Sequence, residues 1–276
     1  MKVALLHPGE MGVSVGAALL SCGNEVYYLP VGRSDSTLAR ARGAGFTACS
    51  SLAELVAGVE MIVSICPPHA ALALAEDVMA AQFTGVFVDA NAISPASARL
   101  LHERVGVNFV DGGIIGPPAT TAGSTRLYLA GERAAAVVDC FSTSVLDARV
   151  VAGEPGCASA LKMCYAAYTK GTSALLLAVR ALAAAEGVDS ALLAEWDISQ
   201  RDLRNRSTGA ARGTARKAWR FVGEMEEIAN TFNDQALPAG FHQAAGEIYR
   251  RMIDLQDATE PTLEDVLTAL NRDTSV

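Results

Sequence analysis

The chain has 276 residues, 51% hydrophobic and 19% charged, which excludes a disordered chain and suits two domains with sizeable cores. A net charge of −8 argues against a general nucleic-acid binder, which needs a basic face. Mean hydropathy is +0.26, yet the longest apolar stretch, 172–184, is interrupted by Arg180 and flanked by Lys170 and Glu186, short of the roughly 20 residues of a membrane span. The opening Met1–Leu6 is too short for an export signal before a glycine turn begins. Six cysteines form no CxxC pair and none lies at ligand spacing from the four histidines, so no metal site is expected. Scattered cysteines in apolar surroundings read as reduced thiols of a cytoplasmic protein.

The apolar runs 2–6, 25–29, 60–65, 85–89 and 107–110 predict strands, and helical patterns at 11–22, 35–44, 51–57, 69–80 and 95–104 alternate with them. Two further strands are expected at 126–130 and near 148–152. Such alternation implies a parallel, doubly wound α/β sheet. From about residue 155 the strand signal stops. Residues 157–187 predict one long helix, and 188–276 read as helical, with breaks near Gly209–Gly213 and Pro238–Gly240. The expected division is a Rossmann-type domain over 1–155 and an all-α domain over 156–276. Residues 201–220 carry Arg201, Arg204, Arg206, Arg212, Arg216, Lys217 and Arg220 against Asp202 alone, either an anion-binding or partner face or a solvated helix surface.

The first strand runs into His7-Pro8-Gly9-Glu10-Met11-Gly12 and a helix. Two of the three glycines of a GxGxxG fingerprint are present. Gly9 would let the backbone approach a pyrophosphate, and Gly12 would let helix and strand pack closely. His7 stands where the first glycine is expected, and either contacts the pyrophosphate or shapes the turn. At the end of the second strand NAD asks for an acid on the ribose, but the chain reads Leu29-Pro30-Val31-Gly32-Arg33-Ser34. The Arg33 guanidinium and Ser34 hydroxyl suit a 2′-phosphate, favouring NADP(H), with NAD(H) possible if Asp35 reaches the ribose. Two more strand ends, Cys66-Pro67-Pro68 and Asp89-Ala90-Asn91, would line the same crevice, and Asn91 can offer donors and acceptors to a ribose or carboxamide.

Taken in order, Gly9-x-Met11-Gly12, Cys66-Pro67-Pro68, Asp89…Ser94-Pro95, Asp111-Gly112-Gly113-Ile114-Ile115-Gly116 and a lysine in a long helix resemble the β-hydroxyacid dehydrogenase superfamily, with its 6-phosphogluconate and 3-hydroxyisobutyrate dehydrogenases and related imine reductases. The resemblance spans nearly the whole chain, and its C-terminal part looks most like a poorly characterised branch. It implies hydride transfer between NAD(P) and a small hydroxy acid or its carbonyl product. It also implies that Gly113, Ile114, Ile115 and Gly116 bind substrate, and that Lys162, in Gly156-x-Ala158-x-x-x-Lys162, is the catalytic lysine. Three departures stand out: Ile115 replaces a serine, Tyr165 and Ala166 replace two asparagines, and no lysine precedes Glu224, where Gly223 stands.

On the long helix, Lys162, Tyr165, Thr169 and Ser173 share one face. Lys162 would exchange the alcohol proton, Tyr165 would hydrogen-bond the same oxygen, and Thr169 would contact substrate. Lys170 is expected at the edge of that face, on solvent. His242 either reaches the substrate pocket or is structural. The wide apolar faces of the C-terminal helices predict a homodimer. Two rival functions remain: an imine reductase, suggested by the altered serine and asparagines, and a non-catalytic NADP(H)-binding regulatory module.

Overall fold

A computed structural model describes residues 1–272. Eight strands form one sheet: β1 (Lys2–Leu6), β2 (Glu25–Tyr28), β3 (Thr47–Ala48), β4 (Met61–Ser64), β5 (Val86–Asp89), β6 (Phe109–Ile115), β7 (Arg126–Ala130) and β8 (Asp147–Val150). Their order is β3-β2-β1-β4-β5-β6-β7-β8, and every pairing is parallel except β6–β7. Six helices connect them: α1 (Glu10–Ser21), α2 (Asp35–Gly43), α3 (Leu52–Gly58), α4 (Ala71–Ala80), α5 (Pro95–Val105) and α6 (Ala134–Asp139).

The strands are apolar at consecutive positions because both sheet faces are covered. Val3 and Leu5 enter a core with α1, α2 and α6, whereas Ala4 and Leu6 enter a second core with α3, α4 and α5. Serine hydroxyls start the helices where the sequence changes period. Ser34 accepts from the Thr37 N–H, Ser51 from Glu54 and Ser94 from Ser97.

The five leading strands form where expected, but β6 runs on through Asp111-Gly112-Gly113 to Ile115 rather than stopping at 110. Asp and Gly weaken a strand in isolation. Here β7 supplies a full antiparallel partner from Asp111↔Ala130 to Ile115↔Arg126. The two-residue β3 and the short α6 carry too few residues to register as patterns.

Helix α7 (Cys157–Ala185) is followed by α8 (Asp189–Ser199), α9 (Leu203–Thr214), α10 (Ala218–Asp234), α11 (Gly240–Arg250) and α12 (Leu263–Leu270). The chain divides into two compact units after Met163, inside α7. In the helical unit Arg180 is 4% exposed, holding Asp189 through two bonds of 2.6 and 2.9 Å and the Ser207 hydroxyl at 2.9 Å. That fork ties α7, α8 and α9 together. The break expected at Gly209–Gly213 is absent, because α9 buries Ser207, Ala210, Ala211 and Thr214 and so overcomes two glycines at roughly 1 kcal/mol each. The break at Pro238–Gly240 does separate α10 from α11. No helix among the described residues is long and apolar enough to cross a membrane.

Candidate active site

The strand order reverses between β1 and β4, and open α/β sheets bind ligands outside the carboxyl ends of the strands at that point. His7 directly follows β1. It takes a left-handed φ of 84°, a conformation that costs a residue bearing a Cβ about 1 kcal/mol or more. The turn is held by the Gly9 N–H on the His7 carbonyl at 2.8 Å. Gly12 is required here, since a Cβ would stand 2.3 Å from the His7 carbonyl oxygen. At Gly9 a Cβ would meet nothing within 4 Å, and no side chain caps the first turn of α1. Open space in front of free helix N–H groups fits a pyrophosphate. Pro8 is buried, Met11 half-buried and Glu10 exposed around this turn.

The His7 Nδ1 is buried without a partner. Burial, with the nearby Arg33 charge, pulls this imidazole down to about 4, so it is neutral near pH 7. Arg33 itself has no carboxylate within ion-pair distance among the described residues. Ser34 spends its hydroxyl on the Thr37 N–H and on neighbouring hydroxyls. Asp35 lies in the exposed first turn of α2.

Asn91 is 3% exposed and fully engaged. Its amide donates to Asp89 at 2.6 Å and to Ser64 at 3.1 Å, and its oxygen accepts from the Cys66 N–H. It therefore braces the ends of β4 and β5 against each other. Burial raises the Asp89 carboxyl to about 7, opposed by the Asn91 hydrogen bonds and reinforced by Asp111. Burial and then the Asp89 charge push the Cys66 thiol up to about 11, so it is an unreactive wall. Pro67 caps a short 3-10 helix that begins at Pro68.

Asp111 is a residue that the sequence reading left without a role. One carboxylate oxygen accepts from the N–H groups of Gly156, Ala158 and Ser159 at 2.8, 2.9 and 3.0 Å, and the other from the Ser159 hydroxyl at 2.5 Å. It thus pins the start of α7 to β6, across 45 or more residues of sequence. The close approach needs glycine at 113, where a Cβ would stand 2.7 Å from the Ala158 carbonyl oxygen and 3.1 Å from the Lys162 Cβ. As a result Lys162 donates from Nζ to the Ile114 carbonyl at 2.6 Å. Ile114 and Ile115 are buried at 6% and 4%, with their side chains turned into the core. Gly116, at φ 130°, turns the chain out of the strand.

The remaining predicted residues lie in the helical unit. Tyr165 is 47% exposed. Thr169 donates to the Tyr165 carbonyl at 3.1 Å and Ser173 to the Thr169 carbonyl at 3.0 Å, so α7 satisfies its own polar stripe. Lys170 does not lie on solvent. It is 14% exposed, 2.7 Å from Glu224 and 4.9 Å from the Phe221 ring centroid, so α10 supplies a carboxylate and an aromatic face that offset its desolvation. The cation absent beside Glu224 in the sequence is thus supplied in space from α7. His242 is buried against Phe232 at 4.2 Å, and burial lowers its pKa. No group of residues suited to a metal ion occurs among the described residues.

Residues 2–156 match the model of the NAD binding domain of 6-phosphogluconate dehydrogenase. The chain belongs to that family. Residues 183–252 match a domain of unknown function, DUF1932. No curated protein matches the sequence. Among solved structures, the conserved protein MTH1747, described as similar to 3-hydroxyacid dehydrogenases, is 27% identical with a TM-score of 0.69, over 93% of this chain and 98% of its own. The Mycobacterium tuberculosis 3-hydroxyisobutyrate dehydrogenase is 18% identical with a TM-score of 0.69, covering 98% and 99%. A Streptomyces aurantiacus imine reductase is 20% identical with a TM-score of 0.53, covering 99% and 100%. The fold is that of the 3-hydroxyacid dehydrogenases and imine reductases, with an NAD(P)-binding domain at its N-terminal end.

Proposed function

We propose that the protein is an NADP(H)-dependent oxidoreductase acting on a small hydroxy acid or its carbonyl product, with Lys162 moving the proton. The observation that carries this reading is the Lys162 ammonium, brought to the Ile114 carbonyl by Asp111 and Gly113. When bound, the nicotinamide supplies the hydride acceptor or donor. The uncapped turn Gly9–Gly12 holds the pyrophosphate, with Pro8, Glu10 and Met11 shaping its rim. Arg33, free of carboxylates, takes a 2′-phosphate, and the absence of an acid at the end of β2 disfavours NAD. Cys66, Pro67 and Pro68 wall the crevice, with Asn91 bracing it. Lys162 would accept the substrate hydroxyl proton in oxidation and return it to the carbonyl oxygen in reduction.

Oxidation of NADPH by semialdehydes and reduction of NADP by hydroxy acids, read by absorbance, test the reading. Lys162→Ala lowers kcat at least ~100-fold, the size of an acid–base effect. A loss under threefold in a folded variant removes Lys162 from the chemistry. The apolar, buried Ile115 favours imine reduction as the second reading, and turnover of cyclic imines alone would establish it. A stable NADPH complex silent toward both panels would indicate a regulatory module.

Self-association belongs to the same proposal. Along α7, Leu161, Tyr165, Tyr168, Thr172, Leu175, Val179 and Leu182 repeat at alternating steps of four and three, the spacing of a coiled-coil seam. Leu182 is 63% and Tyr168 66% exposed. A two-fold copy of the same stripe covers these side chains. Light scattering that finds a 28.7 kDa monomer at micromolar concentration overturns this.

A further inference from the structure

The oxidoreductase reading leaves the basic segment 201–220 unused. Arg204 is paired with Asp197. Arg201, Arg206, Arg212, Arg216, Lys217 and Arg220 are exposed, with no carboxylate within ion-pair distance among the described residues. In a chain of net charge −8 this is a local reversal of sign. Arg206 lines an open groove of about 460 Å³ bordered by α7, α9, α10 and α11.

On the α9 side the groove is bordered by Gly209, Ala210 and Gly213, between the Arg206 and Thr214 side chains. Neither glycine has any atom within 4 Å of the place a Cβ would occupy. The lining also includes Leu176, Phe221 and Tyr249, two of them aromatic. The Lys170–Glu224 pair in the wall is neutral as a unit, and the ammonium keeps further protons for a ligand. Arg206 is the one lining charge without a counterion among the described residues. The groove therefore holds an excess of one positive charge beside a lining that mixes aromatic rings with threonine and serine hydroxyls.

We propose that this groove binds a small monocarboxylic acid with an aromatic body, its carboxylate on Arg206 and its ring between the glycines of α9 and the aromatic lining. The site lies wholly in the helical unit and does not depend on the hydride chemistry. Calorimetric titration of the full chain, without nucleotide, with phenylacetate, phenylacetamide and phenyl phosphate tests it. Phenylacetate binds saturably and at least about tenfold more tightly than the amide. Arg206→Ala abolishes that preference, and Gly213→Leu, which fills the groove with a better helix former, abolishes binding while circular dichroism stays unchanged. Equal affinity for acid and amide, tighter binding of phenyl phosphate, survival of binding in Gly213→Leu, or no heat at millimolar acid each overturns it. Should Gly213→Leu fold poorly, the exposed Arg206→Ala still decides the charge dependence.

Discussion

In the sheet unit, a methyl group at Gly12, Gly112, Gly113 or Gly116 would stand under 3.0 Å from a backbone carbonyl oxygen. In the helical unit the same methyl at Gly209, Gly213, Gly223 or Gly240 would meet nothing within 4 Å. The division follows local packing: Gly9 in the sheet unit also faces open space, and a methyl at Gly171 in the helical unit would stand 3.0 Å from the Phe241 ring. A Rossmann-type turn and the β6–α7 crossing demand close backbone approach, and only hydrogen fits. On α9, Gly209 and Gly213 instead leave an exposed stretch of helix surface. A ligand site made by contact is written in spacing, whereas one made by vacancy is visible only in three dimensions.

The contrast can be broken most forcefully at Asp111. Asp111→Ala strands three buried N–H groups and should cost about 4 kcal/mol in urea unfolding, with the loss confined to the sheet unit. An effect under 1 kcal/mol would mean that α7 does not need its anchor. Next is the acid response of His7. Its folded-state pKa lies below the unfolded value, so stability is complete above pH 6.5. As pH falls from 6.5 the unfolded chain takes up a proton that the folded chain refuses until about 4. Because His7 is only partly buried, solvent screening holds the loss to about 2 kcal/mol at most, and His7→Gly should flatten the profile and relieve the left-handed backbone. An unchanged pH slope in His7→Gly refutes this. Gly113→Ala should cost about 2 kcal/mol through overpacking against the Ala158 carbonyl, and should lower kcat by shifting Lys162. The smallest effect has the opposite sign: Gly209→Ala should raise stability by about 1 kcal/mol, measured as a higher Tm.

These differences mirror what could be read from the sequence. The βα alternation and the Gly9–Gly12 turn were legible because a doubly wound sheet imposes its period and its glycine on neighbouring residues. The extension of β6 was hidden, since Asp111-Gly112-Gly113 is locally poor strand and gains its stability from β7. Asp111 looked like part of a loop motif because the first N–H it anchors, that of Gly156, lies 45 residues later. Lys170 looked solvent-facing because Glu224, its partner at 2.7 Å, lies on another helix. Asn91 was legible as a versatile donor and acceptor, but not that Ser64, Asp89 and Cys66 would consume that capacity.

The anchoring of α7 on β6 has a consequence for inheritance. Asp111, Gly113 and Ile114 place Lys162 before the chain leaves the first compact unit at Met163. The Lys162–Ile114 contact thus lies within one compact unit, although the helix that carries it runs on into the next. Exchanging the segment after Met163 for that of a relative would show whether that contact is inherited with the sheet unit alone.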